Sequence, residues 1–321
     1  MSDQLTTAQL EVLLSAAVAA PSMHNTQPWR FKMHGNLIEV FVDTSRALPA
    51  EDPDGRNMRI AAGAAVFNLR VAAAHLGLHT WYDLTPDPDV PDLAARVVVE
   101  TSAGADTELW SLYREIPRRH TNRGPAAAAE ISVPVRTALL RAAVTEGAEL
   151  TWLDDRHAEA VLDLVREADL RGVGEWSKTA ERRHWIGGTR VDDGIPSMAL
   201  GPRSANYPGP VRDMAAVPWD RQRPAARFEE HPVLLALCTE TDTPADQITA
   251  GMALERVLLT GTRHGLAASF LNQPLEYDDL RARVQRETGK PGYAHMLIRL
   301  VHARNQPPTP RRTIADVLGD T

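Results

Sequence analysis

The same helical punctuation occurs twice in this chain, and that repeat limits the folds open to it more than any other feature. Ala62-Gly63 is followed, fourteen residues after the glycine, by Gly77-Leu78, and Ala250-Gly251 is followed at the same distance by Gly265-Leu266. Each segment is rich in alanine and leucine and closes on His, Gly and Leu, which reads as a helix stopped by a glycine before a strand. Small residues on both faces let a second helix approach closely. The repeat therefore predicts two related halves, residues 1–105 and 106–321, whose long helices pack on each other across a pseudo-twofold axis.

Around these helices the pattern alternates short helices with strands. Thr6 or Thr7 caps a helix that runs to Val18 and is ended by Pro21. Residues 29–33 and 37–42 read as a hairpin, residues 43–59 as a loop, and residues 60–75 as the first repeat helix. Strand material follows near Trp81 and Val97–Val99. The second half is read as helices near 107–116, 135–144, 157–170, 246–264 and 277–286, with strands at 149–153, 233–238, 266–271 and 294–302. Residues 172–230 lose periodicity but carry Trp176, Trp185 and Trp219 among many prolines. Disordered segments are poor in aromatics, so an ordered lid-like insertion is expected there. The fold class is α+β, with central helices and mainly antiparallel sheets.

Bulk properties remove several functions. With 321 residues and 43% hydrophobic content the chain can build a substantial core. A net charge of -7 argues against nucleic-acid and anionic-membrane partners. The single cysteine, Cys238, lies in an apolar run and reads as a buried strand residue, which leaves no disulfide framework or cysteine metal site. No basic leader followed by an apolar core and no apolar run of membrane length is seen, so a cytoplasmic protein is expected. No dinucleotide fingerprint, phosphate loop, His-Glu-x-x-His helix or Gly-x-Ser-x-Gly elbow is present.

Three features remain. Ala20-Pro-Ser-Met-His-Asn-Thr-Gln-Pro-Trp-Arg-Phe31 concentrates hydroxyl and amide side chains in one helix-to-strand turn; it is either ordinary punctuation or a match for the edge of a planar heterocycle. Arg118-Arg-His-Thr-Asn-Arg123 and the tail pair Arg311-Arg312 supply guanidinium forks suited to phosphate. A ligand with a planar ring at one end and a phosphate at the other fits both, and FMN has that form.

The two motifs together resemble the flavin-binding signatures of the nitroreductase superfamily, most closely its Acg-like branch from actinobacteria, over most of the chain. Nitroreductases of the ordinary kind are homodimers with two FMN sites, each built from the arginine motif of one subunit and the polar turn of the other. Here the first half has the turn but no arginine motif before its first helix. The second half has the arginine motif, but Ala143–Leu150 stands where the turn would be. The resemblance thus implies a fused intramolecular pseudo-dimer with one FMN per chain, acting as a monomer. It assigns the phosphate to Arg119, Arg311 and Arg312, the phosphate or ribityl to Thr121, and the pyrimidine edge to Arg123. Pro21, Ser22, Met23, His24, Asn25 and Gln27 are placed along the ring and ribityl, and Ala268, Ser269 and Phe270 set backbone against the flavin. For Arg118 and His120 a solvated or capping role stands equally with contact. No catalytic side chain is implied, since flavin N5 carries the chemistry. The implied activity is ping-pong hydride transfer from NAD(P)H to a nitroaromatic or quinone-type acceptor; the alternative is FMN storage beneath the lid.

Overall fold

The computed structural model describes residues 4–101, 106–125, 130–205, 214, 222–303 and 307–319. The first half runs α1 (Thr7–Val18), β1 (Trp29–His34), β2 (Leu37–Val42), α2 (Arg56–His75), β3 (Leu78–Leu84) and β4 (Leu93–Thr101). After α3 (Thr107–Leu112), the second half repeats that plan as α4 (Val133–Thr145), β5 (Glu149–Trp152), β8 (Val233–Thr239), α7 (Pro244–Arg263), β9 (Leu266–Phe270) and β10 (Tyr293–His302). The sheets are antiparallel, with strand orders β1-β2-β4-β3 and β5-β8-β10-β9, the same order element for element. The repeat read from two glycines is thus a repeat of topology.

Those glycines mark the point where α2 and α7 cross. A Cβ on Gly63 would lie 2.0 Å from the Ile248 carbonyl oxygen, and one on Gly251 would lie 1.9 Å from that of Ile60. The reciprocity is what a twofold axis through the crossing demands, and no side chain fits there. Around the crossing, Ala61, Ala62, Ala64, Ala65, Ala250 and Ala253 are buried.

Most element limits agree with the sequence pattern; Thr6 and Gln9, for example, form a capping box at the start of α1. Two differ. Helix α2 begins at Arg56 rather than near Ile60, because the Asp52 carboxylate accepts from the backbone N–H groups of Asn57 and Met58 at 2.9 and 3.1 Å, starting the helix from within what reads as loop. The segment expected to be irregular contains a regular helix, α6 (Trp176–Trp185), which precedes a short parallel pairing of β6 (Arg203–Ser204) with β7 (Ala225–Ala226). Trp219 lies outside the described residues, as do residues 206–213 and 215–221 as a whole.

The halves differ in what covers their sheets. α5 (Asp155–Arg171) and α8 (Asp278–Glu287) close the outer face of the second sheet, so β10 is buried along nearly its whole length. The outer face of the first sheet is open: β1 alternates buried Trp29 and Phe31 with exposed Arg30 and Lys32. The tail returns to the first half, where α9 (Ile314–Val317) leads into Leu318, which bridges Phe31. Cys238 is buried in β8, and burial pushes its thiol up to about 12. No helix among the described residues is long and apolar enough to cross a membrane, and no group of His, Cys, Asp and Glu among them could hold a metal ion.

Candidate functional site

The polar turn bends sharply because three of its non-glycine residues, His24, Asn25 and Gln27, take left-handed φ values of 49°, 57° and 51°. Such conformations cost about 1–3 kcal/mol each and persist only where surrounding contacts fix them. The Ser22 hydroxyl accepts from the Gln27 N–H at 2.9 Å. The Asn25 amide donates to the carbonyls of Gly194 and Pro310, both at 2.9 Å, tying the turn to the insertion and to the tail.

The arginine motif arrives from the opposite half. After a 3-10 stretch at Tyr113–Arg118, Thr121 forms a parallel bridge with Ala268 at the edge of the second sheet, and the Asn122 N–H donates to the Ala268 carbonyl at 2.8 Å. This pairing sets Thr121 and Arg123 against one cavity and Arg119, which also lines it, at the C-terminal end of α1. There Arg119 and Arg311 both donate to the Ala19 carbonyl at 3.1 Å, at the negative end of the helix dipole. Arg311 also donates to the Asn25 side-chain oxygen at 2.9 Å, and Arg123 to the Ala199 carbonyl at 3.3 Å.

Three cations, Arg119 buried and Arg123 and Arg311 half-buried, thus line one cavity. Burial, then Arg119, pushes Arg311 down to about 9 and Arg123 down to about 10. Burial, then Arg119 and Arg311, lowers His120 to about 4. The Nε groups of Arg119 and Arg311 make no hydrogen bond among the described residues, so the cluster keeps donors for an anion.

Pro21 to Asn25, Arg119, Thr121, Arg123, Ser269, Phe270 and Arg311 all line one cavity between the halves. Three expected site residues do not. Gln27 is fully buried, with its Oε1 accepting from the Arg312 N–H at 2.8 Å and its amide donating to the Asp192 carbonyl at 2.8 Å. Arg312 donates to the carbonyls of Gln27 and Trp29 at 3.2 and 3.3 Å, which makes it a brace for the turn rather than a cavity group. Ala268 acts through its backbone, holding the arginine motif. Of the two residues left open, Arg118 points outward to Glu115 at 2.7 Å, whereas His120 lines the cavity.

Sequence reasoning missed the far wall, formed by Asn57, Asn272, Gln273 and Glu276. The buried Gln273 amide nitrogen has no partner among the described residues. A signal existed in Asn272-Gln273-Pro274, which echoes Asn25-Thr26-Gln27-Pro28. Glu255, buried on α7 with Oε1 3.4 Å from Arg119 Nε, was also missed, since it sits in an otherwise apolar helix face.

The insertion contributes Ile195 and Met214 to the cavity lining and is fixed to both halves. The Glu181 carboxylate on α6 accepts from the N–H groups of Ala50 and Glu51 at 2.6 and 3.1 Å. Arg182 donates to Glu51 at 2.6 Å, and Glu51 in turn contacts His24 Nε2. Lys178 meets Glu276 at 3.1 Å, and the Arg46 guanidinium lies 4.9 Å from the Trp185 ring centroid.

Fold and site together define a duplicated α+β protein in which a helix-to-strand turn of one half and an arginine segment of the other line a cation-rich cleft. In sequence the chain is 32% identical, over 96% of its length and 90% of the relative's, to the Mycobacterium tuberculosis protein named Putative NAD(P)H nitroreductase Rv3131. It is 30% identical, over 98% and 96%, to Putative NAD(P)H nitroreductase acg of the same organism. The chain belongs to this Acg-like nitroreductase family. No family model matches it. Likeness to solved structures includes a putative nitroreductase from Anabaena variabilis (TM-score 0.49, 10% identity, 93% of this chain and 74% of that one) and the FMN- and NADPH-dependent nitroreductase NfnB of a Sphingopyxis strain (0.41, 18%, 65% and 98%).

Proposed function

We propose that the chain is a nitroreductase-type oxidoreductase that holds one FMN in this cleft and works as a monomer, both halves being supplied by one polypeptide. The observation that carries the reading is the trio Arg119, Arg123 and Arg311 lining one cavity, with the Nε donors of Arg119 and Arg311 completing no hydrogen bond among the described residues, beside a strained polar turn. Those groups fit FMN: forked donors suit a phosphate monoester, and hydroxyl and amide groups suit the ribityl chain and ring edge. Arg119 and Arg311 would hold the phosphate, Thr121 the phosphate or ribityl, and Ser22 to Asn25 the ribityl and ring. Arg123 would sit at the pyrimidine edge, where a cation favours an electron-rich ring. When bound, FMN would supply ping-pong hydride transfer from NAD(P)H to a nitroaromatic or quinone-type acceptor.

A second reading, FMN storage, is favoured by the insertion, since Ile195 and Met214 line the cavity and α6 is pinned to both halves by Glu181, Arg182 and Lys178, which would hold an insertion closed over a bound flavin. Anaerobic mixing of the yellow protein with NADH or NADPH separates the two. Rapid bleaching of the oxidised-flavin band supports the enzyme and ends the storage reading. Bleaching by dithionite alone does the reverse, and a protein whose spectrum and melting temperature ignore added FMN removes both.

A further inference from the structure

Glu255 projects from α7 into the arginine cluster and is fully buried. Its Oε1 lies 3.4 Å from Arg119 Nε, and neither carboxylate oxygen completes a hydrogen bond among the described residues. The charged groups that bear on it are Arg119 from the arginine strand and Arg311 from the tail; Asn68, across the helix crossing on α2, also favours its ionised form. Arg123 and His120 interact in turn with those arginines. The Ala19 carbonyl at the end of α1 takes one N–H from each of Arg119 and Arg311. Arg256, next along α7, is engaged by Glu146 and Glu108.

This is a fully buried carboxylate whose charge is supported first by the Arg119 guanidinium, then by the Asn68 amide and the Arg311 guanidinium. Burial alone holds Glu255 above the usual carboxylate range, and the arginines pull it back. A phosphate monoester carries nearly two negative charges near neutral pH and would compete for the same guanidiniums. Two anions sharing those cations in a medium of low dielectric constant repel strongly, and a proton on the more buried one relieves the repulsion.

We propose that Glu255 is the internal counter-ion of the arginine cluster and takes a proton from solvent when a phosphate monoester docks, so that ligand binding and protonation are linked. The proposal rests on the reading that the cleft receives the phosphate of FMN. It gives the buried acid a purpose: in the free protein it limits mutual repulsion among the arginines, and in the complex it becomes neutral. By linkage, lower pH favours binding while the phosphate remains dianionic.

Calorimetric titration of the flavin-stripped, full-length chain with FMN at about pH 7.5, where the phosphate is chiefly dianionic, measures this directly when run in buffers of different ionisation enthalpy. The expected result is uptake approaching about one proton per FMN, reduced to near zero in Glu255→Gln while FMN still binds. Should that variant fail to fold, the infrared difference spectrum of the unmodified protein on FMN binding decides, and a new protonated-carboxyl band is expected. FMN binding without proton uptake, uptake retained in Glu255→Gln, or no new band overturns the proposal alone. No FMN binding at all overturns the flavin reading and the proposal with it.

Discussion

On one side of the α2–α7 crossing, Arg119 and Arg311 meet at the carbonyl of Ala19, the residue that caps α1, and keep donors in reserve. On the equivalent side, Arg70 and Arg256 close on the carboxylate of Glu146, the residue that caps α4, at 2.5 and 2.7 Å, and Glu108 adds a further contact to Arg256 at 3.0 Å. At the spacing that relates Gly63 to Gly251, Glu255 corresponds to Phe67 and Arg256 to Asn68. The guanidiniums of Arg70 and Arg256 lie 5.5 and 6.0 Å from the Phe67 ring centroid. Both sides of one duplicated frame therefore concentrate arginines. The difference lies in the anion: where a carboxylate is in direct hydrogen-bonding contact with both arginines, the cations lock the halves together, and where they meet a carbonyl and a buried acid 3.4 Å from one of them, they are left able to receive a second anion.

The largest break comes at the axis common to both sides. Gly63→Val would drive a side chain into the Ile248 backbone, with an expected cost of about 4 kcal/mol or more, read as a steep fall in melting temperature or loss of soluble protein. Next come the two sides separately. Arg256→Ala leaves the buried Glu146 with Arg70 as its remaining partner and should cost up to about 3 kcal/mol of stability in denaturant melts while leaving FMN affinity unchanged. Arg119→Ala should weaken FMN binding by about 3 kcal/mol, on the order of a hundredfold in a fluorescence-quenching titration.

A smaller effect is expected at the insertion. Glu51→Gln weakens the link from His24 to Arg182 by about 1 kcal/mol and should speed FMN release several-fold in stopped-flow displacement. The smallest concerns His120. Its pKa is held at about 4, below the ordinary 6.5, so the unfolded chain binds this proton first and stability falls as pH drops through that window. In an NMR titration Arg119→Ala should move the His120 pKa upward, since one depressing charge is gone, and Arg256→Ala should leave it in place.

What the sequence disclosed and what it concealed follow from the range of the interactions. The two repeat helices and the sheets were legible because alanine and glycine spacing, caps and apolar runs are local properties. Helix α6 was not: Trp-Ser-Lys-Thr-Ala-Glu-Arg-Arg-His-Trp is largely polar, and its order comes from Glu181, Arg182 and Lys178 reaching residues far away in sequence. The turn and the arginine motif were legible as concentrations of polar and cationic side chains, and they do line one cavity. The division of labour inside them was not, since Gln27 and Arg312 have the same chemistry as cavity residues and are spent on bracing each other. Glu255 could not be singled out because its counterpart Phe67 shows that the position itself is an ordinary core position.

The account stands most directly on equilibrium titration of the flavin-stripped chain with FMN, carried out alongside Arg119→Ala and Arg256→Ala. It predicts one FMN per chain in the unmodified protein and in Arg256→Ala, with binding weakened about a hundredfold in Arg119→Ala. Two FMN per chain, or one whose binding survives Arg119→Ala and is lost in folded Arg256→Ala, would contradict it.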